Sequence, residues 1–162
     1  MKTRKSALIL CIMVSLGMVI GCGTVVRPPI RLEAEDGMGE GAIKVRSAAS
    51  NEKTLWLRTD ETLAIQFNLA DSARYKLDVI VSNDHVSDVP LEIVQVRLDD
   101  EEIGHFAPAD TGDGGYGWNV FVTNYCMAPV EILAGDHSLA FYVTGGDGYG
   151  VEIDAVILTR AE

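Results

Sequence analysis

Four carboxylates stand in pairs near the two ends of the chain. Glu33 and Glu35 lie in Arg31-Leu32-Glu33-Ala34-Glu35-Asp36, and Glu152 and Asp154 in Val151-Glu152-Ile153-Asp154-Ala155. Side chains alternate faces along a strand, so Leu32 and Ala34 turn inward and each acidic pair shares the opposite face. If the first and last strands are neighbours, up to four like charges crowd one patch, which destabilises a strand pair. A hard divalent ion removes that cost, and Ca²⁺ accepts about six to eight oxygens in flexible geometry. The same residues also read as solvated faces of edge strands. Asp110-Thr111-Gly112-Asp113-Gly114 lacks the third-position acid and the twelfth-position Glu of an EF-hand, so calcium here would be held by distant parts of the chain.

Catalytic chemistry has little to stand on. His85, His105 and His137 are spread without metal-ligand spacing, and no Gly-x-Ser-x-Gly elbow, P-loop or Cys-His signature occurs. The chain therefore reads as non-enzymatic. Cys126, in Val122-Thr123-Asn124-Tyr125-Cys126-Met127, reads as a small buried hydrophobe.

The elements that must position these residues are strands. Leu63, Ile65, Phe67 and Leu69 alternate with polar or small residues, as do Tyr75, Leu77, Val79 and Val81. Leu139, Phe141 and Val143 form a third row, and Val151, Ile153, Ala155 and Ile157 a fourth. Further strand-like runs are 43–46, 54–57, 91–98, 118–125 and 130–133, with turn chemistry at Asp71-Ser72, Asn83-Asp84, Asp99-Asp100, Gly135-Asp136 and Gly145-Gly146. No stretch sustains a helical period. Many short strands predict an all-β antiparallel sandwich, and a jelly roll fits the length.

The chain has 162 residues with 13 basic and 24 acidic side chains, a net charge of −11. That balance argues against nucleic acid, which demands a cationic surface. Met1-Lys2-Thr3-Arg4-Lys5 followed by apolar Ala7 to Ile20 reads as a secretory signal. Its end, Val19-Ile20-Gly21-Cys22, resembles the lipobox of bacterial lipoproteins. The resemblance implies a signal peptide over residues 1–21, lipidation of Cys22 and a stable membrane anchor in the cell envelope, at the outer membrane or cell surface. Cleavage takes three cations and no acid, leaving 10 basic and 24 acidic residues, a net −14. Residues 22–30, with Pro28-Pro29, form a lipidated tether, and residues 31–160 one domain.

Within that domain Leu32-Glu33-Ala34-Glu35-Asp36, Tyr75-Lys76-Leu77-Asp78-Val79, Val96-Arg97-Leu98-Asp99, Leu133-Ala134-Gly135-Asp136-His137-Ser138-Leu139 and Glu152-Ile153-Asp154-Ala155-Val156 run in order. This series resembles carbohydrate-binding modules of families 6 and 35, within the galactose-binding-like jelly rolls. The resemblance implies a β-sandwich with a structural Ca²⁺ held by Glu33, Glu35 and Asp154. It also implies polysaccharide or oligosaccharide binding in a cleft of loops at one end, where an aromatic ring stacks on the apolar face of a sugar. Two glycine-rich loops carry such groups. Asp110 to Trp118 supplies Trp118 as platform and Tyr116 as a second face; Gly145 to Gly150 supplies Tyr149 and, as hydroxyl acceptor, Asp147. Asp147 stands where the family usually has an amide. Trp118 beginning a strand as a core residue is the competing reading.

A reading from another class keeps the same lipoprotein and sandwich but turns it to assembly, contacting a protein partner with the sugar cleft degenerate.

Overall fold

The computed structural model describes residues 27–86, 88–112, 115–125 and 128–161. The signal segment, Cys22, Cys126 and most of the tether lie outside them. Among the described residues the chain forms twelve strands: β1 (Ile30–Glu33), β2 (Met38–Gly39), β3 (Ala42–Val45), β4 (Lys53–Leu57), β5 (Thr62–Leu69), β6 (Ala73–Ser82), β7 (Ile93–Leu98), β8 (Glu101–Phe106), β9 (Val122–Tyr125), β10 (Val130–Ile132), β11 (Gly135–Thr144) and β12 (Val151–Arg160). Short 3₁₀ turns occupy Ala34–Asp36 and Ser50–Glu52.

Every strand pairing is antiparallel. One sheet has five strands in the order β2-β5-β11-β7-β8; the other has seven, in the order β10-β6-β12-β4-β3, with β1 added to β12 and β9 to β6. The alternating rows face each other across the interior. Leu63, Ile65, Leu139, Phe141, Val143, Val94 and Val96 of the smaller sheet meet Leu57, Tyr75, Leu77, Val79 and Val81 of the larger. Full burial of each such side chain contributes about 1.5–3 kcal/mol, so the period-two pattern is what holds the two layers together.

The opening and closing strands are neighbours, with Glu33 opposite Ala155. Between Ile153 and Ala155 the pairing of β12 with β6 slips by one residue, leaving Asp154 as an extra residue in a β-bulge. The bulge corrects the expected inward row. Val151 and Ile153 fill the core as expected, but Val156 and Leu158 replace Ala155 and Ile157 beyond it. One extra residue flips every later side chain to the other face.

Two other expectations change. The run 118–125 is a strand only from Val122, and Trp118 stands in a turn with Asn119 at φ 75°. The run 101–106, for which the sequence reading names no strand, forms β8. Asp99 and Asp100 both take positive φ, 49° and 70°, which makes them the two-residue loop of a tight hairpin.

Candidate functional site

Two polar clusters are built on the loops of this sandwich. Among the described residues, four buried side-chain atoms lack a hydrogen-bond partner: Glu35 Oε2, Asn83 Oδ1, Asp84 Oδ1 and His85 Nδ1. Buried polar groups are normally paired, so each such atom marks a place where a ligand could bind. Glu35 belongs to the first cluster, at the chain ends. The other three follow one another in the loop after β6.

At the ends, Ser50 Oγ lies 2.6 Å from Glu33 Oε2 and 2.7 Å from Asp154 Oδ1. The Ser50 N–H also donates to Asp154 Oδ1, at 2.8 Å. The Arg31 guanidinium bridges Glu33 Oε1 at 2.8 Å and Asp154 Oδ2 at 3.0 Å. Glu35 accepts from Asn51 Nδ2 at 3.1 Å through its other oxygen. The bulge and the pairing of β1 with β12 thus bring Glu33 and Asp154 onto the 50–51 turn, and Glu35 reaches the same turn. Glu152 departs from them. Its buried carboxylate is matched by the Arg46 guanidinium and by Thr54 Oγ1 at 3.0 Å. Two arginines therefore offset part of the like-charge crowding expected from the sequence. The donor set of Glu33, Glu35 and Asp154 is all-oxygen, the type a hard cation takes, with one buried oxygen unpaired, but Arg31 bridges Glu33 and Asp154 and the three carboxylates do not converge within 4.8 Å.

Among the loops after β6, β8 and β11, a cavity of about 220 Å³ is lined by Asp84, Val86, Gly115, Trp118 and Tyr149. Its frame is a neck of backbone. A Cβ on Gly112 would fall 2.2 Å from Gly117 Cα, so only glycine lets the two ends of this loop touch. Thr111 Oγ1, 2.7 Å from Asn83 O and 3.0 Å from Gly117 O, ties the neck to the end of β6. Trp118 follows the neck, half-buried, with the Arg46 guanidinium 5.9 Å from its ring centre. The second wall hangs from Trp56, whose Nε1 donates to the Tyr149 carbonyl at 2.6 Å. Trp56 itself lies on the outer face of the sheet, with Lys44 Nζ 4.2 Å from its ring centre.

The structure thus brings Trp118 and Tyr149 to one cavity. Tyr116, 89% exposed, stands on the loop without lining it. Asp147 lies beneath the cavity and is not among its lining groups. Its side chain is 2% exposed, Oδ2 accepts from the Val86 N–H at 2.8 Å, and Oδ1 from the Tyr149 N–H at 2.7 Å. The carboxylate at the wall is Asp84, buried and with Oδ1 unpaired.

Under Asp147 is Glu92, wholly buried, accepting from the Asp147 N–H at 3.2 Å. Gly146, at φ 105°, makes room for it, since a Cβ there would fall 2.5 Å from Glu92 Oε1. Burial pushes the Glu92 carboxyl above the usual range, and its contact with Asp147 adds to this. Burial also opposes charge on Asp147, but the Val86 and Tyr149 N–H groups, then the contact with Glu92 and the nearby His85, hold it below the usual range.

The sequence places Asp84 in a turn and Glu92 in a strand-like run, and sets His85 aside for lack of metal-ligand spacing, whereas the structure brings His85 together with Glu92 and Asp147. Glu92 carried a usable signal: it shares parity with Val94 and Val96, so the alternation places an acid on the core face. Nothing in spacing joins Asp84 or His85 to residues some sixty positions later.

No protein-family model matches the chain, and no curated protein does. Solved structures do. A family 35 carbohydrate-binding module from Clostridium thermocellum matches at TM-score 0.64 and 20% identity, over 81% of this chain and 98% of its own. The C-terminal family 6 module of a marine laminarinase from Zobellia galactanivorans matches at 0.63 and 18%, over 82% and 100%. An exo-β-1,3-galactanase from Phanerochaete chrysosporium matches at 0.64 and 19%, over 82% of this chain but only 29% of the enzyme. The chain has the jelly-roll sandwich fold of family 6 and family 35 carbohydrate-binding modules.

Proposed function

We propose that this protein binds carbohydrate without chemically altering it, through the cavity between Trp118 and Tyr149. The observation that carries the reading is an aromatic ring and a buried carboxylate with an unpaired oxygen, Asp84, facing one small cavity on the loops of a carbohydrate-module fold. A pyranose offers C–H groups on its face and hydroxyls at its rim. Trp118 takes the first and Asp84 the second, with Tyr149 as a further face. The size of the cavity suits a single sugar ring. Asp147 acts from below, fixing the Val86 and Tyr149 backbones that form two walls.

Two further parts of the reading rest on sequence and donor chemistry. A structural Ca²⁺ is held by Glu33, Glu35 and Asp154, and supplies positive charge to a partly buried acidic cluster. Lipid on Cys22 anchors the module at the bacterial cell envelope, facing polysaccharide.

A glycan array that includes β-1,3-galactan, laminarin and β-1,4-mannan tests the reading, these being named after the enzymes that carry similar modules. Binding to a defined set of oligosaccharides is the expected result. Silence across the array, together with capture of one envelope protein, favours the assembly reading instead.

A further inference from the structure

We propose that His85, Glu92 and Asp147 form a binding site for a divalent metal ion of the zinc class, distinct from the calcium cluster at the chain ends. His85 Nδ1 lies 3.8 Å from Glu92 Oε2 and 3.8 Å from Asp147 Oδ2. One ligand atom from each residue falls within 4.8 Å of the others, and among the described residues this is the set of His and acidic groups that does so. Zinc bonds of about 2.0–2.2 Å to nitrogen and oxygen place tetrahedral ligands about 3.3–3.6 Å apart. The two distances from His85 are therefore a few tenths of an ångström wider than in a filled site, and the Glu92 and Asp147 oxygens lie within 4.8 Å of each other, so binding requires the carboxylates to draw in.

The cluster is more than adjacent acids. His85 Nδ1 is buried with no hydrogen-bond partner. Asn83, wholly buried, sets its amide nitrogen 3.5 Å from Glu92 Oε2 and leaves its carbonyl oxygen unpaired. Outer contacts already orient the ligands: Val86 and Tyr149 N–H groups hold Asp147, and the Asp147 N–H holds Glu92. Such support is what metal-binding carboxylates and imidazoles ordinarily have. An imidazole with two carboxylates selects zinc and its neighbours over calcium or magnesium, which take oxygen alone. Three protein ligands leave a fourth position for water or another donor. His85 and Glu92 share the β6–β7 loop and Asp147 comes from the β11–β12 loop, so no local spacing motif announces the full set, and the site does not depend on the sugar reading.

The test uses the full-length chain without a histidine tag, stripped with EDTA. Zinc is titrated by calorimetry and cobalt(II) by visible absorption, both without glycan. One zinc per chain and intense four-coordinate cobalt bands are expected. His85→Ala and the near-isosteric Glu92→Gln should each weaken zinc about 100-fold, while His105→Ala, on exposed β8, leaves it unchanged. No zinc uptake, a weak six-coordinate cobalt spectrum, or equal affinity in His85→Ala overturns the proposal. The cobalt spectrum of the unaltered chain decides even if a variant fails to fold.

Discussion

A carboxylate can receive a sugar hydroxyl only where it lines the cavity and is not already committed to backbone amides. By that criterion Asp84 and Asp147 do different work, one at the cavity wall and the other holding two loops. Asp84→Ala should lower glycan affinity about tenfold, as calorimetry would read, with little change in melting temperature, because it removes a buried group that has an unpaired oxygen. Asp147→Ala should cost about 1–3 kcal/mol in denaturant unfolding, since it strips acceptors from the Val86 and Tyr149 amides. His137 offers a separate check far from the cavity. Its Nδ1 lies 2.7 Å from Asp99, whose hydrogen bond raises the imidazole above its ordinary 6.5 against the opposing effect of burial; the Leu133 carbonyl adds to the rise. Asp99 is held below its ordinary 3.8, first by the Ser138 N–H and then by His137. The stabilisation from His137 is thus complete below about pH 6.5 and is lost as pH rises through its raised folded value. That from Asp99 is present above about pH 3.8 and is lost on acidification. Melting curves of His137→Gln should therefore lose the decline that the unaltered protein shows from about pH 6.5 upward.

The 46–52 loop connects the two polar clusters. Arg46 pairs with Glu152 and reaches the Trp118 ring; the Ala48 N–H donates to Asn119 Oδ1 at 2.8 Å; Ser50 and Asn51 contact Asp154, Glu33 and Glu35. An ion at the chain ends would therefore also steady the Trp118 turn. Removing calcium with EDTA should lower the melting temperature by roughly 5–10 °C, as expected for a ligand near 100-fold above its dissociation constant. Glu35→Gln should reproduce most of that drop without EDTA, and an unchanged midpoint in both would remove calcium from the account. Much of this element-level order was legible beforehand. Strand rows such as 63–69 and 75–81 follow from alternation, and the adjacency of β1 and β12 follows from the family-like order of motifs. The bulge at Asp154 was not legible, because inserting one residue leaves the apolar content of the strand unchanged. Trp118 read as a strand start because aromatic and β-branched neighbours surround it, whereas Asn119 at positive φ decides for a turn. Asp84 and His85 join the site only through tertiary folding.

At the scale of the whole molecule, the protein is an anionic sandwich whose proposed sugar-binding surface is small and confined to loops. Net negative charge disfavours anionic polymers and makes neutral glycans the suitable ligands, so affinity should change little between low and moderate salt. A lipid at Cys22 would add a second level of organisation by holding many copies close to one surface, where weak individual affinities combine. All of this depends on Trp118 being a contact surface for sugar. Calorimetric titration of the array-selected oligosaccharide into the unaltered protein and into Trp118→Ala tests that claim most directly. Saturable one-to-one binding that weakens at least tenfold in the variant, with its fold intact, is the predicted result; equal affinity in the two proteins would contradict it.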